Sequence, residues 1–195
     1  MIFLRIKRSM KMWGCITPPQ WPDFGLDAAR RLAAHTGQRW SPREDPMISH
    51  PAAGWRIRAY EDGDRTGCDA VFSDCASEFT WLAEPQSPPA VWYDARRKLV
   101  TWVAEVGEDQ PEIVGFLMLS GRTAYVNYLL VDIDWRLCGI GQGLIDVARD
   151  HAGVPLGLDV DEENVRAIAA YRALGFAPLR KQQDGGRSLL RLESV

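Results

Sequence analysis

Apolar positions along residues 55–195 follow the spacing of strands in some segments and the spacing of helices in others. A period of two predicts a strand, and a period near 3.6 predicts an amphipathic helix. In chain order, the predicted elements are a strand at 55–60, a helix at 69–82, a hairpin of strands at 99–106 and 112–119, a strand at 125–131, a helix opening at 140, a strand at 156–160, a helix at 165–174, and a last hairpin at 176–192.

The first part of the chain has a different pattern. Prolines interrupt residues 17–22 and 41–51, which predicts loop in both segments. Residues 27–34 have the spacing of one short helix. We therefore predict two parts, an N-terminal extension over residues 1–54 and a folded domain over residues 55–195.

A glycine-rich segment follows the apolar strand at 125–131 and carries the strongest functional signal. The segment runs from Arg136 through Gly139 and Gly141 and opens the next helix. The first N–H groups of a helix have no intrahelical partner, and the helix dipole adds partial positive charge. Glycines let a phosphate approach the backbone, and the Arg136 guanidinium is placed to close over it. We predict a diphosphate site here and call residues 136–142 the cradle.

Three phosphate-binding patterns compete for this segment. A Walker loop requires a Gly-Lys pair, which is absent. A dinucleotide fingerprint requires a third glycine where Leu144 stands, and it follows its strand more tightly than Gly139 follows Val131. The pattern that fits is R-x-x-G-x-G from Arg136 to Gly141, which resembles the acyl-CoA-binding motif of the GCN5-related N-acetyltransferase (GNAT) superfamily.

A second segment supports this resemblance. Asn164 caps the predicted helix that Gly175 ends, and Ala167 and Tyr171 lie between them. The line N-x-x-A-x-x-x-Y-x-x-x-G-F resembles the second hallmark of the same superfamily. The resemblance covers roughly residues 112–192. It implies the mixed α/β sheet of the GNAT acyl-CoA N-acyltransferase fold, preceded here by the N-terminal extension.

The resemblance also implies an activity, namely acetyl-CoA-dependent transfer of an acetyl group to a primary amine by direct attack on the thioester. Acetyl-CoA would be the co-substrate, with its pantetheine arm pairing along the strand before the cradle. The implied donor-binding residues are Leu129, Leu130, Val131, Arg136, Leu137, Cys138, Gly139, Ile140, Gly141, Gln142 and Asn164. Tyr171 stands at the superfamily's general-acid position, and a phenol is suited to protonating a leaving thiolate.

The general base is less defined. Many members place a glutamate on the strand before the cradle, where this chain has Tyr125, Asn127 and Tyr128. Asp159 resembles the acid of the ribosomal N-terminal acetyltransferases, twelve residues before Tyr171, and its shorter side chain would act through a water. Two alternatives stay open: Asp159 is a solvated residue on the outer face of its strand, or no base is needed.

Composition narrows the function classes. The four cysteines form no C-x-x-C pair and the three histidines are far apart, so we expect no metal. Unpaired thiols, with no signal-peptide core and no apolar run of membrane-spanning length, predict a cytoplasmic protein and no membrane partner.

Charge leaves alternatives open. Residues 1–60 hold ten Lys and Arg against four Asp and Glu, whereas the remainder is acidic. A nucleic-acid-directed (tRNA, toxin-like) acetyltransferase is therefore one alternative, but scattered basic residues and the acidic remainder argue against a nucleic-acid partner. A non-catalytic acyl-CoA-binding or interaction module is the other, and the intact motifs argue against it. The acceptor is predicted only as a small-molecule, peptide or protein amine. The acidic run 161–163 either stabilises the start of the following helix or attracts that amine. Homodimerisation is left open.

Overall fold

The computed structural model describes residues 48–50, 54–78 and 99–195. Within these ranges eight strands form one mixed sheet, in the order β1-β2-β3-β4-β5-β6-β8-β7. The strands are β1 (Ile48–His50), β2 (Trp55–Ala59), β3 (Val100–Val106), β4 (Glu112–Ser120), β5 (Tyr125–Val131), β6 (Gly157–Asp161), β7 (Phe176–Asp184) and β8 (Arg187–Ser194), and the α-helices are α1 (Arg65–Ala76), α2 (Ile140–Ala152) and α3 (Val165–Ala173). None of the helices in these ranges is both long and apolar enough to span a membrane.

The sheet opens at its middle. Neighbouring strands are antiparallel throughout, apart from β5 and β6, which run parallel. These two strands share a single register pair, Tyr125 with Gly157. Beyond that pair their backbones diverge, so the carboxyl ends of β5 and β6 border an opening that we call the wedge.

Alternation of side chains across each strand divides the core into two apolar clusters. The larger cluster covers one face, where α2 and α3 pack, and it includes Trp55, Trp102 and Tyr171. The smaller cluster covers the other face, where α1 contributes Phe72 and β5 contributes Tyr128. Both faces of β5 are therefore buried, which explains its nearly continuous apolar sequence.

Most elements predicted from the hydrophobic pattern are confirmed, including both hairpins and the order of strands and helices. The helix boundaries follow local signals: the Asn164 side chain accepts a hydrogen bond from the Ala167 N–H at 3.1 Å. α2 ends at Gly153, whose φ of +63° is left-handed and favours glycine. The predicted helix at 27–34 and the predicted loop at 17–22 lie outside the described residues.

Two predictions about the elements are wrong. The pattern predicts loop over residues 41–51, but Ile48–His50 pairs with β2 as a short strand at the sheet edge, where neighbouring prolines are tolerated. The helix predicted at 69–82 is α1, which begins earlier, at Arg65, and ends earlier, at Ala76. Its first turn contains Gly67, which disfavours a helix on propensity alone, but a Cβ on Gly67 would lie 2.8 Å from the Ile113 side chain. Close packing on β4 therefore explains a glycine in this helix.

Candidate functional site

The cradle lies directly after β5 and forms the start of α2. Leu137 and Gly139 have φ angles of +67° and +84°, so the backbone turns through the left-handed region twice before the helix begins. Leu137, Cys138, Gly139 and Gln142 are exposed. Because α2 starts at Ile140, its first N–H groups have no intrahelical acceptor. The segment therefore presents backbone N–H groups and the positive end of a helix dipole to solvent, as an anion site requires.

The Arg136 side chain is buried rather than open to a phosphate. Its Nε donates to the Val131 carbonyl at 3.1 Å, and its Nη1 lies 2.5 Å from the Glu78 carboxylate. Its Nη2 contacts the Cys75 sulfur at 3.6 Å, and only 2% of the side chain is exposed. Burial is the largest single influence and acts to lower the pKa of Arg136, but the hydrogen bonds and charge interactions with Glu78 and Cys75 together outweigh it, so the pKa is raised.

The interpretation that the Arg136 guanidinium closes over the phosphate is thus wrong for this structure. Opening this contact toward a ligand would leave the Glu78 carboxylate without its charged partner, which costs free energy. The Arg136 guanidinium instead connects the end of β5 to the end of α1 through its contacts with Val131 and Cys75. The groups of the cradle that can bind an anion are therefore its backbone N–H groups.

A tryptophan on β2 contacts the buried side of the cradle. The Trp55 indole N–H donates to the Cys138 carbonyl at 2.7 Å. The same ring packs against the start of α2, because a Cβ on Gly143 would lie 2.9 Å from it. Trp55 is not among the residues predicted from the sequence, because it precedes Cys138 by 83 residues and no spacing pattern connects the two.

The wedge adjoins the cradle through β5. Leu129, Leu130 and Val131, predicted to line the donor, have buried side chains in the two apolar clusters. Past Tyr125 the backbone of β5 is not paired with β6. An extended ligand arm can therefore pair with the β5 main chain along this edge, as an added strand would.

Asp159 belongs to a buried cluster at the closed end of the wedge. Its carboxylate accepts hydrogen bonds from Arg191 Nε at 2.6 Å and Nη2 at 3.0 Å, and from the Tyr125 hydroxyl at 3.1 Å. The Arg191 guanidinium also lies over the Tyr125 ring, 5.0 Å from its centroid. We call Tyr125, Asp159 and Arg191 the strand cluster. The alternative that Asp159 is a solvated residue is wrong, because it is only 1% exposed.

The strand cluster fixes the protonation state of Tyr125. Burial and, secondly, the nearby Asp159 charge raise the pKa of Tyr125 far above its ordinary value. The Tyr125 hydroxyl consequently stays protonated, and so remains a hydrogen-bond donor, at any pH near neutrality.

Tyr171 lies on α3, and Asn164 caps the N-terminus of that helix. Tyr171 is buried on α3, edge-to-face with Phe176 at 5.6 Å, in the cluster that holds Leu158. Successive residues of a strand face opposite ways, so Asp159 and Tyr171 are on opposite faces of β6. Asn164 is also buried, and among the described residues its side-chain N–H₂ group finds no hydrogen-bond acceptor.

The acidic residues around the site are largely engaged locally. Glu162 pairs with Lys181 and accepts from Ser188, and the Lys181 hydrogen bond lowers the pKa of Glu162. Asp161 accepts from the Glu163 N–H at 3.0 Å. In the part of the chain that the structure describes, no group of three or more His, Cys, Asp or Glu is arranged to hold a metal ion.

Comparison with known proteins gives this geometry a context. A model of the Acetyltransferase (GNAT) family matches residues 68–176. The chain is 40% identical over 75 residues to the peptidyl-lysine N-acetyltransferase YjaB of Escherichia coli (strain K12), which is 38% of this chain and 48% of that protein. The chain thus spans about half the length of this curated relative.

Solved structures agree. The solution structure of apo-form YjaB from Escherichia coli is 27% identical, with a TM-score of 0.53, and the match covers 72% of this chain and 97% of that one. A putative streptothricin acetyltransferase from Bacillus anthracis str. Ames, solved with acetyl coenzyme A, is 18% identical with a TM-score of 0.54 over 71% and 98% of the two chains. The latter shares the fold alone. Since the family model matches more than half of its residues, the chain belongs to the GNAT acetyltransferase family.

Proposed function

We propose that this protein is an acetyl-CoA-dependent N-acetyltransferase that transfers an acetyl group to a primary amine. The observation that carries the proposal is the continuity of two features along β5. The strand has a free edge in the wedge and then runs directly into the cradle. A ligand with an extended amide-containing arm and a diphosphate fits both, and family membership favours acetyl-CoA as that ligand.

The donor is held mainly by main chain in this proposal. The diphosphate lies against the N–H groups from Gly139 to Gln142, and the pantetheine arm pairs with β5 over residues 129–131. The buried Asn164 amide supports this placement, because a carbonyl of the arm would accept the hydrogen bond that its N–H₂ group lacks among the described residues.

Transfer then needs a nucleophile, a polarised carbonyl and an acid. The neutral amine attacks the thioester carbon, a β5 N–H stabilises the developing oxyanion, and the carbon–sulfur bond breaks. We assign protonation of the leaving thiolate to Tyr171, whose ordinary pKa near 10 suits that task. The amine's proton leaves to a base or to water.

Asp159 as that base stays a prediction with a structural competitor. Both of its carboxylate oxygens already accept hydrogen bonds, and Arg191 balances its charge. A carboxylate held in this way is also suited to fixing β6 and β8 beside β5. The two roles differ in what Asp159→Asn should do: a base role lowers kcat mainly on the acidic side of the pH profile, whereas a fixing role lowers stability.

The acceptor class that we propose is a peptide or protein amine. It rests on the name of the E. coli relative, a peptidyl-lysine N-acetyltransferase. A small-molecule amine is the second candidate, since a nourseothricin acetyltransferase is 25% identical with a TM-score of 0.53 over 72% of this chain. Homodimerisation and a cytoplasmic location stay predictions.

The deciding experiment is calorimetric titration of the purified full chain with acetyl-CoA, followed by thiol release with lysine peptides and with small amines. We expect micromolar binding and acceptor-dependent thiol release. A folded protein that shows no binding heat at millimolar acetyl-CoA would reject the enzyme and favour the interaction module. In the assay, Tyr171→Phe should lower kcat and leave the Kd for acetyl-CoA nearly unchanged, because only the proton donor is removed.

A further inference from the structure

Trp55 occupies an unusual place for a core residue. It lies on β2, ahead of the residues that the family model matches, and yet its N–H group reaches the cradle. Trp55 is only 5% exposed, and its N–H group is directed at the Cys138 carbonyl. A buried indole N–H usually finds an acceptor, and here the acceptor is a main-chain carbonyl of the cradle itself.

The geometry of the peptide unit gives this hydrogen bond a consequence. In a planar trans peptide, the carbonyl of one residue and the N–H of the next point in opposite directions. The Cys138 carbonyl points inward to Trp55, so the Gly139 N–H points outward to the exposed side of the cradle. Gly139 then turns through its left-handed φ of +84° into the N–H groups that open α2.

The Trp55 ring also sets the distance between β2 and the first turn of α2. A Cβ on Gly139 would lie 3.6 Å from the Trp55 ring, and one on Gly143 would lie 2.9 Å from it. The first turn of α2 therefore lies directly on the indole. A shift of this turn by a few tenths of an ångström would misplace every N–H group that faces the ligand.

We propose that Trp55 is a positioning residue for the diphosphate of the acyl donor. It touches no reacting atom, and it holds the Cys138–Gly139 peptide so that the cradle is formed before the ligand arrives. This inference rests on the proposed function, because it specifies how the same donor site is made.

The test compares donors with and without a diphosphate. Trp55→Phe keeps an aromatic ring and removes the N–H group. We expect it to raise the Kd for CoA roughly five- to tenfold, the effect of about one lost hydrogen bond. The kcat/KM for a short donor, the acetyl thioester of N-acetylcysteamine, should stay within about twofold. Trp102→Phe is the matched control: it makes the same change in the same apolar cluster, where Trp102 packs edge-to-face on His151 at the other end of α2.

Each outcome separates the proposals. An unchanged Kd for CoA in Trp55→Phe, or equal losses with both donors, overturns the role of Trp55. Failure of the wild-type protein to bind CoA overturns the proposed function itself. Should Trp55→Phe fold poorly, Gly143→Ala provides the second variant, since it keeps the indole N–H but places a methyl group 2.9 Å from the indole ring and 2.8 Å from the Ile57 side chain. That variant should also weaken CoA more than the short donor.

Discussion

The cradle and the strand cluster lie at opposite ends of β5 and are built in different ways. The cradle is one continuous stretch of seven residues whose binding groups are backbone N–H groups. The strand cluster is made of side chains separated by 34 and 32 positions, in which the buried Asp159 carboxylate meets a guanidinium and a hydroxyl from two other strands. The cradle is accessible to a ligand, whereas the side chains of the strand cluster bind one another.

This difference indicates how the two regions should respond to change. A backbone site depends on dihedral angles, so substitutions there should affect ligand binding more than stability. A buried ion pair is stabilised only while both partners remain, so substitutions there should affect stability first. Substitutions in and around the two regions test this division.

Arg191→Met should have the largest effect on stability. It leaves Asp159 as an unpaired buried carboxylate, which typically costs about 3–5 kcal/mol of unfolding free energy. Urea unfolding measures the loss. Arg187→Met on the same strand is the control, because Arg187 is partly exposed with a 4.0 Å pair to Asp184 and should cost about 0.5 kcal/mol. Equal losses in the two variants would contradict a structural role for the cluster.

Gly139→Val should abolish tight binding of acetyl-CoA. A β-branched residue resists the φ of +84°, so the cradle backbone must rearrange at a stability cost of about 1–2 kcal/mol. We expect the Kd to rise more than tenfold by calorimetry. Gly186→Val in the turn between β7 and β8 places the same residue at a φ of +83°. It should lose similar stability and keep its affinity; weakened binding in this control would mean that strain alone is responsible.

Tyr125→Phe should change the alkaline stability profile. The unfolded chain ionises a tyrosine near pH 10, whereas burial and Asp159 hold the folded pKa of Tyr125 above that value. The resulting stabilisation is complete below pH 10 and is lost as the pH rises above it, by up to about 1.4 kcal/mol per pH unit. Urea unfolding between pH 8 and pH 11 should show a shallower decline in the variant. Parallel curves would show that Tyr125 is not protected from ionisation.

Glu78→Gln should have the smallest effect. Glutamine keeps an acceptor for Arg136 but loses the charge, and 22% of the Glu78 side chain is exposed, so we expect about 1 kcal/mol or less. The Kd for acetyl-CoA should rise no more than about threefold, because Val131 and Cys75 still contact the guanidinium. A tenfold rise would mean that the Arg136–Glu78 contact controls the cradle at least as strongly as the Trp55 hydrogen bond does.

Consecutive residues were sufficient to predict much of this protein. The R-x-x-G-x-G segment, the Asn164 cap and the glycines after α2 and α3 act within a turn or two, so their effects follow from local dihedral angles and hydrogen bonds. Hydrophobic periods predicted the strands and helices because each element buries one face or both. β1 and the first turn of α1 were missed where packing on a neighbouring strand outweighs local preference.

Tertiary structure alone decided the partners of the long side chains. Arg136 meets Glu78 and Cys75 rather than a ligand, Trp55 reaches Cys138, and Asp159 meets Arg191. Each of these contacts depends on strand order and on register, and a slip of one residue would turn the side chain to the opposite face of the sheet. Local sequence determined where this chain turns and where its backbone N–H groups are exposed. The pairing of distant strands determined which charged side chains are engaged within the protein and which remain accessible to a ligand.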